Sequence, residues 1–177
     1  MATEKLEYEG EQYTRRSGKW VDSRCTVVCE NLQKELNKLF AETLDLKMLT
    51  VEKCIAEGDM FKASSSIGVA LKYYEEAISR ADRRTLIYIL PRITSCYRKN
   101  GLAQKVIDVL VYASNKYGRD VVTPVLLTSA AAAYCDLRDY KRALKCCNRA
   151  YAQLNGRISG ELSLVYKRIR SECPTIL

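Results

Sequence analysis

Residues 137–154 read LRDYKRALKCCNRAYAQL. A loop-like Leu137-Arg138-Asp139 is followed by Ala143, Cys147 and Ala150, whose spacing of four and then three residues is that of one helix face. Alanine and cysteine are small, so a face built from them packs well only where another backbone comes close. Asp139 can cap such a helix by accepting a bond from its free amides, and Asn155-Gly156 supplies its end. The stretch therefore reads as the second helix of a tightly packed hairpin, with the helix before it running from Thr123-Pro124 to about Leu137. Proline is pre-set for a first helical position, and Thr123 is placed to accept a bond from the amides behind it.

The same order of side chains occurs twice more upstream. Ala70, Val106 and Ala143 stand 36 and 37 residues apart. Four positions after each come Tyr74, Leu110 and Cys147, and three further on Ala77, Ala113 and Ala150. Nine positions before each lies an aromatic, Phe61, Tyr97 or Tyr134, and three before the aromatic lies Gly58, Thr94 or Ala131. This pattern resembles the tetratricopeptide repeat family, in which a small and an aromatic residue in one helix face a small, large, small series in the next. The likeness covers about residues 50–155. Its third unit, SAAAAYCDLRDYKRALKCCNRAYAQL, fits best, whereas Thr94 and Val106 are larger than the pattern prefers. The period exceeds the family's usual ~34 residues, and the family's closing proline is absent.

The resemblance implies an all-α fold, an antiparallel helical-hairpin superhelix, with repeats at about 50–80, 85–117 and 123–155. A final helix at 159–172, carrying Leu162, Val165, Tyr166 and Ile169, would cap the last repeat. Ahead of the first repeat, Leu32, Leu36, Leu39, Phe40 and Leu44 recur on one helix face. Thr50 caps the following helix, and Ser64-Ser65-Ser66 breaks it from the next. Pro91 falls inside the helix predicted at about 85–99, where proline costs about 3 kcal/mol unless the helix kinks or starts there. A kink near Pro91 is expected; a helix beginning at Pro91 is the alternative.

Residues 11–23, EQYTRRSGKWVDS, differ in character. Tyr-Thr and Trp-Val around Ser17-Gly18 predict a β-hairpin that sets Arg15 opposite Trp20, within cation–π reach. Two strands alone are marginal, so the hairpin docks on the helices, docks on a partner, or frays. The predicted division is thus an N-terminal segment, 1–29, and a helical repeat domain, 30–177.

A chain of 177 residues with 47% hydrophobic residues can fill a core of its own. The start, MATEKLEYEGEQY, is acidic where a secretory signal needs a basic flank and an apolar run, and no apolar stretch approaches about 18 residues. A cytoplasmic protein without a membrane span is expected. The eight cysteines sit irregularly, mostly inside helical patterns, and read as reduced packing residues. Zinc is disfavoured, because Cys25-x3-Cys29 and Cys146-Cys147 form no paired knuckles and there is no histidine. The absence of histidine also excludes Ser–His, Cys–His and HExxH hydrolases. Neither GxxxxGK[ST] nor GxGxxG occurs, and no cofactor is expected.

Net charge is +8, unevenly placed. Residues 80–119 carry nine Lys/Arg against two acids, as do residues 138–170, whereas 31–79 are net acidic by two. The resemblance implies a groove lined by the first helices: Glu52, Ile55, Asp59 and Lys62, then Tyr88, Ser95, Arg98 and Lys99, then Val125, Thr128, Ala132 and Asp136. The Lys/Asn set with which some family members hold a carboxyl terminus is missing. Tyr88, Ser95, Arg98, Lys99, Lys62 and Asp59 are the candidate contacts, although Arg98 and Lys99 also suit a helix carboxyl end. The expected function is a non-catalytic interaction module or scaffold for a protein or peptide of acidic character. A nucleic-acid-associated repeat protein is the alternative, tested by steep salt dependence. An enzyme using Glu52 with Asp59 has little support, since i and i+7 on a helix usually share an exposed face. Oligomerisation through a repeat end or the hairpin stays open.

Overall fold

The computed structural model describes residues 4–43 and 45–176. Leu44, counted above on an apolar face, lies outside them. The chain forms two compact units, Met1–Arg80 and Ala81–Leu177. The boundary suggested at 29/30 falls inside the first unit. Among the described residues there are eight α-helices and one three-stranded antiparallel sheet. No helix among them is long and apolar enough to cross a membrane.

The first unit opens with β1 (Glu4–Tyr8), β2 (Glu11–Arg16) and β3 (Lys19–Val21), in that order across the sheet. The hairpin expected over 11–23 is present, and β1 extends it by one strand. Both connections are two-residue turns with positive φ at both positions, Glu9-Gly10 and Ser17-Gly18, a geometry whose twist matches the flanking strands. Helix α1 (Glu30–Thr43) follows, then α2 (Val51–Ala63) and α3 (Ile67–Arg80), which pack as a hairpin.

Arg15 pairs with Trp20 in register, as expected, but the cation–π contact goes elsewhere. Arg15 lies over Phe61, 4.5 Å from its centroid, and 5.5 Å from that of Phe40. The reason is burial. Trp20 is fully buried, donating from Nε1 to Asn37 Oδ1 at 2.8 Å and meeting Phe40 edge-on at 5.4 Å. Asn37 in turn donates to Ser66 Oγ at 3.0 Å. The amide of Gln33 accepts from Trp20 N at 2.9 Å and donates to Trp20 O at 2.7 Å, so a side chain completes the edge of β3. The sheet is therefore docked on its own helices.

Beneath it the Arg15 guanidinium, 2% exposed, sits 2.9 Å from Glu57 and 3.0 Å from Glu4. The second oxygen of Glu57 lies 2.8 Å from Lys53 Nζ. Two carboxylates and two cations thus offset one another's desolvation. The Tyr73 hydroxyl is buried nearby with no hydrogen-bond partner among the described residues. Burial, with the Glu57 charge behind it, pushes its pKa well above that of an ordinary tyrosine.

The second unit holds α4 (Arg83–Lys99), α5 (Ala103–Tyr117), α6 (Pro124–Asp136), α7 (Tyr140–Gln153) and α8 (Gly160–Glu172). Caps set their starts: Asp82 accepts from Thr85 N at 2.8 Å, Asp139 from Arg142 N at 3.0 Å and Ser159 from Leu162 N at 3.2 Å. Thr123 occupies the corresponding position before Pro124 but makes no side-chain cap bond, so proline alone marks that start. Helix α4 begins at Arg83 and continues through Pro91, which excludes a helix starting at the proline. Pro91 faces solvent, where the carbonyl freed by its missing N–H can be hydrated.

The small repeat positions are where backbones meet. Ala70, Ala77, Val106, Ala113, Ala131, Ala143, Cys147 and Ala150 are fully buried. So are Phe61 and Tyr97, at 1% and 4% exposure, while Tyr134 is only half-buried. A Cβ added at Gly58 would sit 2.7 Å from the Tyr74 ring. Thr94 fits a small position because its hydroxyl donates to Leu90 O at 2.8 Å and leaves its methyl to the core. Cys54, Cys96, Cys135 and Cys147 are buried, Cys146 and Cys173 half-buried, and Cys25 and Cys29 exposed; all eight are free thiols.

Candidate functional site

In the second unit α4 packs on α6 and α6 on α8, while α5 and α7 lie on the other side of the row. Helix α6 is covered from so many directions that PVLLTSAAAAYCD is apolar nearly all round. What it leaves open is one stripe, Val125, Ser129 and Asp136, spaced at i, i+4 and i+11. Thr128 and Ala132, expected in the groove, are buried at 5% and 3% exposure. Thr128 turns its hydroxyl back to Pro124 O at 2.9 Å, and Ala132 lies in the packed layer.

Helix α4 offers Tyr88, Arg92, Ser95 and Lys99 at i, i+4, i+7 and i+11. Tyr88 is 53% exposed. Arg92 stacks over its ring at 3.7 Å and donates to Tyr88 O at 2.8 Å, so the aromatic is held in one orientation. Sequence reasoning selected Tyr88 and missed Arg92, although the four-residue spacing was there to be read. Ser95 is half-buried, and Arg98 and Lys99 are exposed at the carboxyl end of α4, where Asn100 closes the helix.

The carboxyl ends of the three helices are joined by charge. Arg168 of α8 donates to Asp136 of α6 at 2.5 Å and to Glu172 at 2.8 Å, and Tyr140 donates to Glu172 at 2.9 Å. Arg98 lies 3.9 Å from the other oxygen of Asp136. The bond from Arg168, then that from Tyr140, holds the Glu172 carboxyl below the usual carboxylate range. These groups line a polar depression of about 360 Å³, but they satisfy one another. They clamp the helices and leave neither the Asp136 nor the Glu172 carboxylate unpaired.

Beyond the clamp the face is apolar with cationic edges. Leu164, one helical turn before Arg168, is 64% exposed and Val125 is 53% exposed. With Tyr88 they give each of three neighbouring helices one exposed apolar side chain. Residues 81–177 carry 17 Lys/Arg against 7 Asp/Glu, and residues 1–80 carry 12 against 14, so the whole positive excess belongs to the second unit.

Asp59 and Lys62 lie on α2 in the first unit, both half-buried. Asp59 accepts from the Tyr74 hydroxyl at 2.6 Å, which ties it to the α2–α3 hairpin. Ile55 is buried at 9% exposure, not in a groove, because it packs between α2 and its neighbours. Among the described residues no three His, Cys, Asp or Glu side chains gather where they could hold a metal ion. In comparisons with known proteins, no family model matches this sequence, and no curated protein matches it either.

Proposed function

We propose that the chain is a non-catalytic interaction module, related in plan to tetratricopeptide repeats, that binds an acidic peptide or protein surface along the α4–α6–α8 face of its second unit. One observation carries the reading: Tyr88, Val125 and Leu164 stand exposed on three adjacent helices. A row of this kind suits an extended apolar ligand, and Tyr88 pinned by Arg92 is a ready anchor of the type that dominates binding energies. Lys99 at one edge, outside the clamp, suits acidic residues between the ligand's apolar ones. Eight free thiols fit a reducing compartment such as the cytoplasm.

The test is affinity capture from extract with wild type and a Tyr88→Ala/Lys99→Glu variant, each with and without nuclease. Both positions are exposed, so the fold should be kept. A protein retained by wild type after nuclease and lost in the variant supports the reading. Captured material that is removed by nuclease moves the assignment to nucleic acid, and equal capture by both proteins removes this face from consideration.

A further inference from the structure

We propose that the second unit also holds a small-molecule site, for an apolar monocarboxylate, on the side of α6 opposite the face described above. Leu127, Ala130 and Tyr134 lie at i, i+3 and i+7, about half a turn round the helix from Val125, Ser129 and Asp136. There α5, α6, α7 and the 119–122 turn border an open pocket of about 200 Å³. Its floor is Leu110, Val122, Leu127 and Ala130, all buried.

Size sets the ligand's tail. An apolar cavity of about 150 Å³ accepts benzene, so this one accepts a tail of about six to eight carbons. Charge sets its head. Arg119 and Arg149 stand on the rim, both exposed, and among the described residues neither has a carboxylate within ion-pairing distance. No Asp or Glu lines the cavity, while Ser114 and Asn115 add neutral donors beside the arginines. An apolar floor below two unengaged guanidiniums matches one carboxylate on a hydrocarbon tail, held by charge-assisted hydrogen bonds at its open end.

Octanoate is the probe, titrated into the full chain and followed by methyl NMR, with octanol and acetate as controls. Octanoate should shift the signals of Leu110, Leu127 and Ala130 saturably, bind about tenfold more tightly than octanol, and leave acetate without effect. Arg119→Gln/Arg149→Gln should reduce octanoate to the affinity of octanol and leave octanol unchanged. Val111→Trp, at an exposed position on the cavity wall, should block both. The proposal is overturned if octanoate shifts none of these methyls in the millimolar range, or if it binds the double variant as well as wild type. It is equally overturned if octanol binds as tightly as octanoate. None of these readouts involves the α4–α6–α8 face, so the two proposals fail separately.

Discussion

At Gly58 a single hydrogen decides whether α2 and α3 can meet. The Tyr74 ring occupies the space a Cβ would need, 2.7 Å away, whereas a Cβ at Gly68 would meet nothing within 4 Å. Gly58→Ala should therefore destabilise by about 1–3 kcal/mol through overpacking, and Gly68→Ala should stabilise by up to about 1 kcal/mol through helix propensity. Thermal melts of the two variants check this, and a stabilised Gly58→Ala would show that the hairpin is looser than described. Arg15 is the second residue on which the first unit depends. Arg15→Met would leave Glu57 buried with Lys53 alone and should cost about 3–5 kcal/mol, whereas Arg15→Met/Glu57→Leu should recover most of that loss. Trp20, the only tryptophan and fully buried in the same unit, reports both transitions by fluorescence in urea. Equal stability of single and double variants would mean that the buried charges do not act as a pair.

Among the elements, those with local signals were legible in the sequence and those with long-range causes were not. Thr50, Asp82, Asp139 and Ser159 announce helix starts because an N-cap acts within three residues. Small residues recurring at a 36–37 spacing also marked close helix contacts, and Ala77, Ala113 and Ala150 are fully buried. Strand β1 was missed: Leu6 and Tyr8 alternate among glutamates, and the acidic composition hid a two-residue turn at Glu9-Gly10. Glu57 could not be read as buried, because its partner Arg15 is 42 residues away. The groove positions Ile55, Thr128 and Ala132 went astray because a family-based face assignment ignores how far each neighbouring helix overlaps it. The caps also make an acid prediction. The Thr85 hydrogen bonds to the Asp82 carboxylate, side-chain first and then backbone, lower its pKa, and Arg168 does the same for Glu172. Their folded values lie below the unfolded ones near 4. The stability they contribute is therefore full above about pH 4 to 5 and is lost as pH falls through the folded values. Asp82→Asn/Glu172→Gln should flatten the acid limb of a stability-against-pH curve, and an unchanged limb would assign acid sensitivity to other carboxylates.

For the molecule as a whole, charge and surface divide between the two units. The first unit is slightly acidic and spends its most distinctive groups internally, on Trp20, Asn37, Arg15 and Glu57. The second is strongly basic and leaves apolar side chains exposed, among them Tyr88, Val125 and Leu164 on three adjacent helices and Val111 and Tyr112 on α5. A positive field of that size raises encounter rates with an anionic partner and falls with salt, while the apolar row would set how long the partner stays. If this row is a binding surface, a photo-crosslinking amino acid placed at position 88 will capture the partner, with position 141 on the exposed side of α7 as the control. A nuclease-resistant protein or peptide adduct is expected from position 88 and none from position 141. Adducts of equal yield from both positions, or from neither, would show that the Tyr88 row is not the binding surface.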